Sequence, residues 1–206
     1  MTNITFRLET HADRYAVEAL TREAFWKFWE TDGRVICDEH LLVNKLRTAQ
    51  GYVPELNFVA EIDGKIVGHI IYSKSKVVDG EKNEHELLTF GPLSVLPKEQ
   101  KKGIGQALMR HSFAEAKKLG YRGAVIYGHP KYYPRVGFRR AAEFGITTPE
   151  GEAHDYFMAL PFYLGALDGI SGKHYIDAVY WELTQKDALE FDKKFPYKEP
   201  HILAAQ

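Results

Sequence analysis

Hydrophobic and polar positions change period several times along the chain, and each change marks an element. Ile4 to Leu8 alternates apolar and polar residues and predicts a first strand. Asp13 stands where a helix would be capped. Tyr15, Val17, Leu20 and Ala24, with Trp29 beyond them, predict that helix, and a second lies between Asp38 and Thr48. The period then falls to two. Leu56 to Ile62 and Lys65 to Lys74 flank Asp63-Gly64, the dipeptide that joins hairpin strands because it tolerates the left-handed backbone such turns require. A third strand is predicted from about His85 to Leu96. A helix follows from Gly103 to Leu119, with Ile104, Ala107, Leu108, Ala116 and Leu119 on one stripe and Gly120 as its stop. Downstream come an apolar strand, Gly123 to Tyr127, a turn of helix started by Pro130, and strands at Phe157 to Leu164 and Tyr175 to Leu183. Thr184, with Asp187 three residues on, predicts a last short helix to Phe195. The succession predicts an α/β chain (α+β, mixed sheet) with a strand, helix, strand unit at its centre. No repeat or Pro/Ser-rich linker divides it, so one domain is expected over residues 1–206.

Composition narrows the class. The chain has 206 residues, 45% of them apolar and 13% aromatic, enough for a core that needs no staples. Its longest uncharged stretches, Leu87 to Pro97 and Tyr156 to Leu167, fall short of the roughly 18 apolar residues of a membrane helix. Arg7, Glu9, Asp13 and Arg14 stand where an export signal would be apolar, so a cytoplasmic location is expected. Cys37, the only cysteine, can form neither an internal disulfide nor a multi-thiolate zinc site, and the nine histidines show no His-x-x-x-His spacing. No metal is expected.

The formal net charge of -1 conceals a strong asymmetry. Residues 1–97 carry 11 positive and 15 negative groups, residues 98–140 carry 11 against two, and residues 141–206 carry five against 11. A basic island of this kind steers anions even when the whole molecule is nearly neutral. Its acidic flanks, and a pI near 6.8, argue against a broad nucleic-acid-tracking surface.

The island opens on a distinctive constellation. The strand before it contains Gly91-Pro92, and proline removes a ladder donor, so a bulge is expected there. Leu93, Ser94 and Val95 would then offer unpaired backbone groups to an extended amide ligand. Next stands Gln100-Lys101-Lys102-Gly103-Ile104-Gly105-Gln106 at the start of the long helix. Glycines allow close backbone approach, and the free N–H groups of a first helical turn favour an anion, so this segment reads as a phosphate cradle. It is not a Walker loop, because the Gly-Lys pairs Gly64-Lys65 and Gly172-Lys173 lack the spacing and the hydroxyl. A dinucleotide fingerprint would place glycine where Leu108 stands and an acid about twenty residues on, yet no Asp or Glu occurs between Lys117 and Ala142.

In these residues the chain resembles the GNAT superfamily of N-acetyltransferases. Gln100, Gly103 and Gly105 match the family's Gln/Arg-x-x-Gly-x-Gly/Ala signature after a bulged strand, and Tyr133, Gly137 and Phe138 match its Tyr-x-x-x-Gly-Phe signature. Gly91-Pro92-Leu93-Ser94-Val95-Leu96-Pro97 and Gly128-His129-Pro130-Lys131-Tyr132-Tyr133 look like a bacterial branch of predicted acetyltransferases. The detailed likeness spans about residues 84–140 and the order of elements extends it to 4–165, leaving 166–206 as a C-terminal β/α extension. The resemblance implies an acyl-CoA N-acyltransferase fold, acetyl-CoA as donor and a small-molecule or peptide primary amine as acceptor, in a monomer or homodimer. It implies that backbone groups of Leu93 to Val95 pair with the pantetheine arm, that Gln100, Lys101, Lys102, Gly103, Ile104, Gly105 and Gln106 hold the pyrophosphate with Tyr132 beside them, and that Tyr133 protonates the leaving thiolate. A phenol of pKa about 10 suits that role, being protonated at neutral pH.

Two departures stand out. Gly128-His129-Pro130-Lys131 replaces a loop in which many members carry a pantetheine-binding asparagine, and Pro134, which cannot sit inside a regular helix, puts Tyr133 on an irregular turn. The general base has no fixed position in the family; Glu86, His85 and His129 are the candidates. Trp26, Trp29 and residues beyond Ala141 are expected to line the acceptor pocket. The alternative is a non-catalytic acyl-CoA-binding or sensing module on the same fold.

Overall fold

A computed structural model describes residues 4–27 and 35–200; Trp29 lies outside the described residues. Its strands are β1 (Ile4–Leu8), β2 (Phe58–Ile62), β3 (Lys65–Val78), β4 (Glu84–Val95), β5 (Gly123–Tyr127), β6 (Arg139–Arg140), β7 (Ile146–Thr147), β8 (Phe157–Pro161) and β9 (Gly172–Tyr175). Its helices are α1 (Arg14–Phe25), α2 (Glu39–Leu46), α3 (Ile104–Lys118) and α4 (Gln185–Asp192). The strands form one mixed sheet in the order β1-β2-β3-β4-β5-β8-β6, while β9 joins the far end of β3 and pairs with β7. None of the described helices is long and apolar enough to cross a membrane.

Local chemistry accounts for most boundaries. Asp63 and Gly64 adopt φ values of 49° and 72°, the paired left-handed geometry of a tight hairpin turn between β2 and β3. Gly120 closes α3 at φ 90°. Thr184 Oγ1 accepts the Asp187 amide at 3.1 Å and starts α4. Two predicted elements differ. The turn of helix expected from Pro130 forms three residues later, as a 3-10 turn over Tyr133–Val136 with Pro134 in its first turn, where its missing N–H costs nothing. Tyr175 to Leu183 is not a strand beyond Tyr175, because Asp177 accepts the Val179 amide at 3.0 Å and curls the chain into a 3-10 turn over Ala178–Tyr180.

The two-residue alternation of β3 divides the core. Ile70 and Tyr72 pack with Leu88 and Phe90 of β4 against Ile104, Leu108 and Met109 of α3. Ile71, on the opposite face, packs with Val17 of α1 and Val43 and Leu46 of α2. Beneath those two helices lies a buried polar network. The Arg47 guanidinium holds both Glu9 and Glu18, Asn44 donates to Glu18 at 3.0 Å, and Asn57 bridges Glu9, the Tyr52 hydroxyl and His69 Nε2. These charges lie out of water only because they are mutually paired. A second tie joins the chain's distant parts: Arg22 of α1 makes a forked pair with Asp192 of α4 at 2.5 and 2.7 Å, and His40 Nε2 of α2 stands 3.1 Å from the same carboxylate.

Two buried imidazoles make the fold sensitive to acid. Burial pulls His174 down to about 3, and burial followed by the Arg47 charge does the same to His69. Neither ring nitrogen of His174 has a hydrogen-bond partner among the described residues, and its ring lies against Phe157. The unfolded chain takes up these protons near pH 6.5 while the folded chain resists until near 3. The associated stability is therefore complete above about 6.5 and is lost as pH falls towards 3. Between pH 7 and 4.5, urea titrations are expected to show the wild type losing about 2 kcal/mol more stability than His174→Leu. Equal losses would show that His174 is not held neutral.

Candidate active site

The site begins where two strands part. Ile70 pairs with Leu93 and Tyr72 with Phe90, so a single β3 residue, Ile71, faces both Gly91 and Pro92 of β4. This is the expected bulge, and its two residues are joined by a cis peptide bond. Parallel β5 meets β4 at one register pair, Leu88 with Ala124, upstream of the bulge. Beyond that point one edge of β4 stays bonded to β3 while the other, from Phe90 to Val95, faces a gap rather than β5.

Three of the predicted features border this gap. The side chains of Leu93 and Val95 point to the α3 side, and Ser94 points away, donating to Thr21 Oγ1 at 2.9 Å. The Gln100 side chain donates to the Val95 carbonyl at 3.1 Å and ties the end of β4 to the loop. Lys101 and Gly103 follow at φ 62° and 83°, with Gly103 as the N-terminal cap of α3. No side chain caps this helix, so its first amides point outward, and a Cβ placed on Gly103 would meet nothing within 4 Å. At Gly105 a Cβ would stand 2.7 Å from the Tyr132 hydroxyl and 3.6 Å from Val95 Cγ2. The missing Cβ is what lets β4, α3 and Tyr132 converge. Lys102 is paired with Glu99 at 2.9 Å, whereas Lys98 and Lys101 face no carboxylate among the described residues.

Tyr133 occupies the gap itself. Its ring lies 6.0 Å from Phe90 of β4 and 5.7 Å from Phe138, and a Cβ on Gly128, just past β5, would fall 2.3 Å from its Cε2. Burial, with a smaller contribution from Tyr132, pushes the Tyr133 phenol well above its ordinary value, so it keeps its proton at any physiological pH.

The base candidates are not gathered here. Glu86 lies on β4 before the β5 pairing and is ion-paired with Lys74 at 3.0 Å, about 17 Å along the strand from Gly91 at the usual rise per residue. His85 pairs with Asp79 at 3.1 Å at the β3–β4 turn. His129 is close, one residue past Gly128, but its Nδ1 accepts the Lys131 amide at 3.1 Å. The neutral ring then carries its proton on Nε2 and has no free acceptor nitrogen. Trp26 is buried among α1, α2 and α4 rather than lining the gap.

Sequence reasoning pointed to residues beyond Ala141 without singling out Tyr180 and Trp181. Tyr180 shares a hydrogen bond with Ser73 Oγ at 3.2 Å and reaches the Gly91 carbonyl at 3.5 Å, and Trp181 meets Tyr127 edge-on at 5.7 Å. The one available signal was Asp177 two residues before Val179, a side-chain turn that interrupts an aromatic run. Cys37, His40 and Asp192 also come together, with Sγ 3.8 Å from Nδ1. The thiol is fully buried and burial pushes its pKa far up, so it is a packing residue. Among the described residues no group of three or more His, Cys, Asp or Glu could hold a metal.

The mixed sheet with its parted central strands has the fold of acyl-CoA N-acyltransferases, and comparison with known proteins agrees. Residues 54–140 match the model of the acetyltransferase (GNAT) domain. Over 140 residues, 68% of this chain and 72% of the relative, the sequence is 29% identical to YjhQ, described as an uncharacterized N-acetyltransferase, of Escherichia coli (strain K12). The GNAT family N-acetyltransferase YhbS of Escherichia coli, solved with CoA, superposes with a TM-score of 0.75 at 23% identity, covering 89% of this chain and 95% of that one. A GNAT family acetyltransferase from Brucella melitensis, solved with acetyl-CoA, gives 0.68 at 28% identity, covering 87% and 99%. Over these spans the chain is similar to GNAT acetyltransferases.

The contact between Gly128 and the Tyr133 ring gives a direct check. Gly128→Ala must displace the ring, and such overpacking costs about 1–3 kcal/mol. The melting temperature is expected to fall by about 3–10 °C. An unchanged value would place Tyr133 elsewhere.

Proposed function

We propose that the protein transfers the acetyl group of acetyl-CoA to a primary amine by direct attack. The observation that carries this reading is the convergence on one gap of the free β4 edge, the bare N-terminus of α3 and the Tyr133 phenol. Backbone groups of Leu93 and Val95 pair with the amide-bearing pantetheine arm, while those of Ser94 turn to β3. The amides of Lys101 to Gln106 hold the pyrophosphate, with the helix dipole and the Lys98 and Lys101 charges favouring the anion. Tyr132, whose hydroxyl stands over Gly105, borders the same cradle.

In the reaction the amine nitrogen forms a bond to the thioester carbonyl carbon, and the carbon–sulfur bond breaks. Tyr133 gives its hydroxyl proton to the departing sulfur and regains one from water. Its elevated pKa suits a donor that must be protonated at the start of every cycle. Glu86 is too distant and His129 has no free acceptor nitrogen, so the proton lost by the amine passes to water at the open side of the gap.

Two measurements test the reading. Tyr133→Phe is expected to lower kcat by roughly 10²–10⁴-fold with little change in acetyl-CoA affinity, and unchanged turnover would reject Tyr133 as the acid. Acetyl-CoA is expected to raise the melting temperature of the wild type and not of Gly103→Asp. Asp tolerates a left-handed backbone and its Cβ meets no protein atom, so the variant should fold and fail only through the carboxylate in the cradle. A shift that survives would show that the anion binds elsewhere. Binding without thiol release for any amine in a broad panel would make the protein a sensor rather than an enzyme.

A further inference from the structure

Past the end of β5, Tyr156 and Trp181 add exposed aromatic surface to a core-packed tyrosine, and the proposed donor site uses none of it. Tyr127, the last residue of β5, lies 6.4 Å from Tyr156 and 5.7 Å, edge-on, from Trp181, ring centroid to centroid. Trp181 is 65% and Tyr156 47% exposed, large values for residues this apolar. Their positions are built rather than incidental. The Gly128 amide donates to the Tyr156 carbonyl at 2.8 Å, and the Trp181 amide to the Ala178 carbonyl at 2.9 Å. The turn that presents Trp181 is anchored by Asp177 accepting the Gly51 amide at 3.3 Å and by Tyr180 against the bulge.

The segment that carries Tyr156 is acidic, with Arg140 and Lys173 beside it. Residues 147–156 contain Glu150, Glu152 and Asp155 and no Lys or Arg. Glu150 acts directly on Tyr127, whose phenol is pushed up to about 12 by burial first and by that carboxylate second. Asp155 is 3.6 Å from Arg140, and Glu152 is 2.9 Å from His154, whose ring stacks on Tyr156. Aromatic faces bordered by carboxylates attract alkylammonium groups through the ring quadrupole and the summed field.

From this juxtaposition we infer that Tyr127, Tyr156 and Trp181 form a subsite for a cationic group of the acceptor, distinct from the amine that is acetylated. The reacting nitrogen must be neutral to attack, and a cation-binding surface would hold it protonated. The two nitrogens therefore differ, and the acceptor carries a second, permanently or predominantly charged ammonium. Tyr127 precedes Gly128, on which the Tyr133 ring rests, so the subsite adjoins the reaction centre. The inference rests on the proposed acetyl transfer for the word acceptor, but the cation site can be tested without turnover.

Choline and 3,3-dimethylbutan-1-ol, its uncharged isostere, are titrated against the wild type and Trp181→Ala, following heat by calorimetry. Saturable binding of choline alone, weakened about 10-fold or more in the variant, is expected. Equal response to both probes, or choline binding unchanged by the substitution, overturns the inference. A second arm compares hexane-1,6-diamine with hexylamine as acceptors, following thiol release from acetyl-CoA. The wild type is expected to favour the diamine about 10-fold in kcat/KM, and the ratio to collapse towards one in Trp181→Ala. A ratio near one in the wild type also overturns it. Choline binding without thiol release for any amine would retain the cation site and reject the acetyl transfer.

Discussion

The parting of β4 from β5 after one shared pair is the constraint on which the site depends. A sheet normally satisfies the backbone groups of neighbouring strands against each other, and leaving a strand edge open inside a fold is costly unless something else takes the bonds. Here the bulge at Gly91-Pro92 turns β4 off the line of β5, and the space is filled partly by the Tyr133 ring. The remaining edge is what a ligand with amide groups can complete. The same parting puts the end of β4 beside the start of α3, so one backbone irregularity supplies both the strand edge and the approach to the helix amides.

The charge distribution acquires a different weight in three dimensions. Part of the basic island is neutralised locally: Lys102 by Glu99, Lys118 by Glu115, and Arg140 by Glu143 and Asp155. Arg122 donates to the Ala166 carbonyl at 2.6 Å and the Asp168 carbonyl at 3.1 Å, fixing the C-terminal segment rather than meeting a ligand. Lys98 and Lys101, near the uncapped helix end, pair with no carboxylate among the described residues. A segment-wide sum therefore overstates the field at the cradle while indicating its sign correctly. The acidic C-terminal segment lies partly around exposed tyrosines and a tryptophan.

How much of this was legible in the sequence depended on how local the physics was. Asp63-Gly64, Gly120 and the Thr184–Asp187 cap were readable because each is decided within a few residues. The cradle was readable for the same reason, since glycine at 103 answers a left-handed backbone and glycine at 105 a close approach. Tyr175 to Leu183 was misread because its β-branched and aromatic residues favour a strand while the Asp177 side chain bonds the backbone into a turn. Glu86 looked near the bulge in sequence, yet five residues of extended chain and a pairing with Lys74 remove it. The meeting of Tyr127, Tyr156 and Trp181 had no local signature, because three separate connections bring it about.

The forked pair between Arg22 and Asp192 has a consequence for how the molecule comes together. Those residues are 170 apart in sequence, and closing so large a loop costs chain entropy before any contact rewards it. The β2–β3 and β3–β4 hairpins need only short loops and can nucleate early, whereas α4 and the turn that carries Trp181 must wait for the rest to provide a surface. In that ordering the C-terminal segment with α4 is the last part to solidify. By the same ordering it belongs to the least protected part of the fold, so amides near α4 should exchange with solvent through openings that leave β3 and β4 intact.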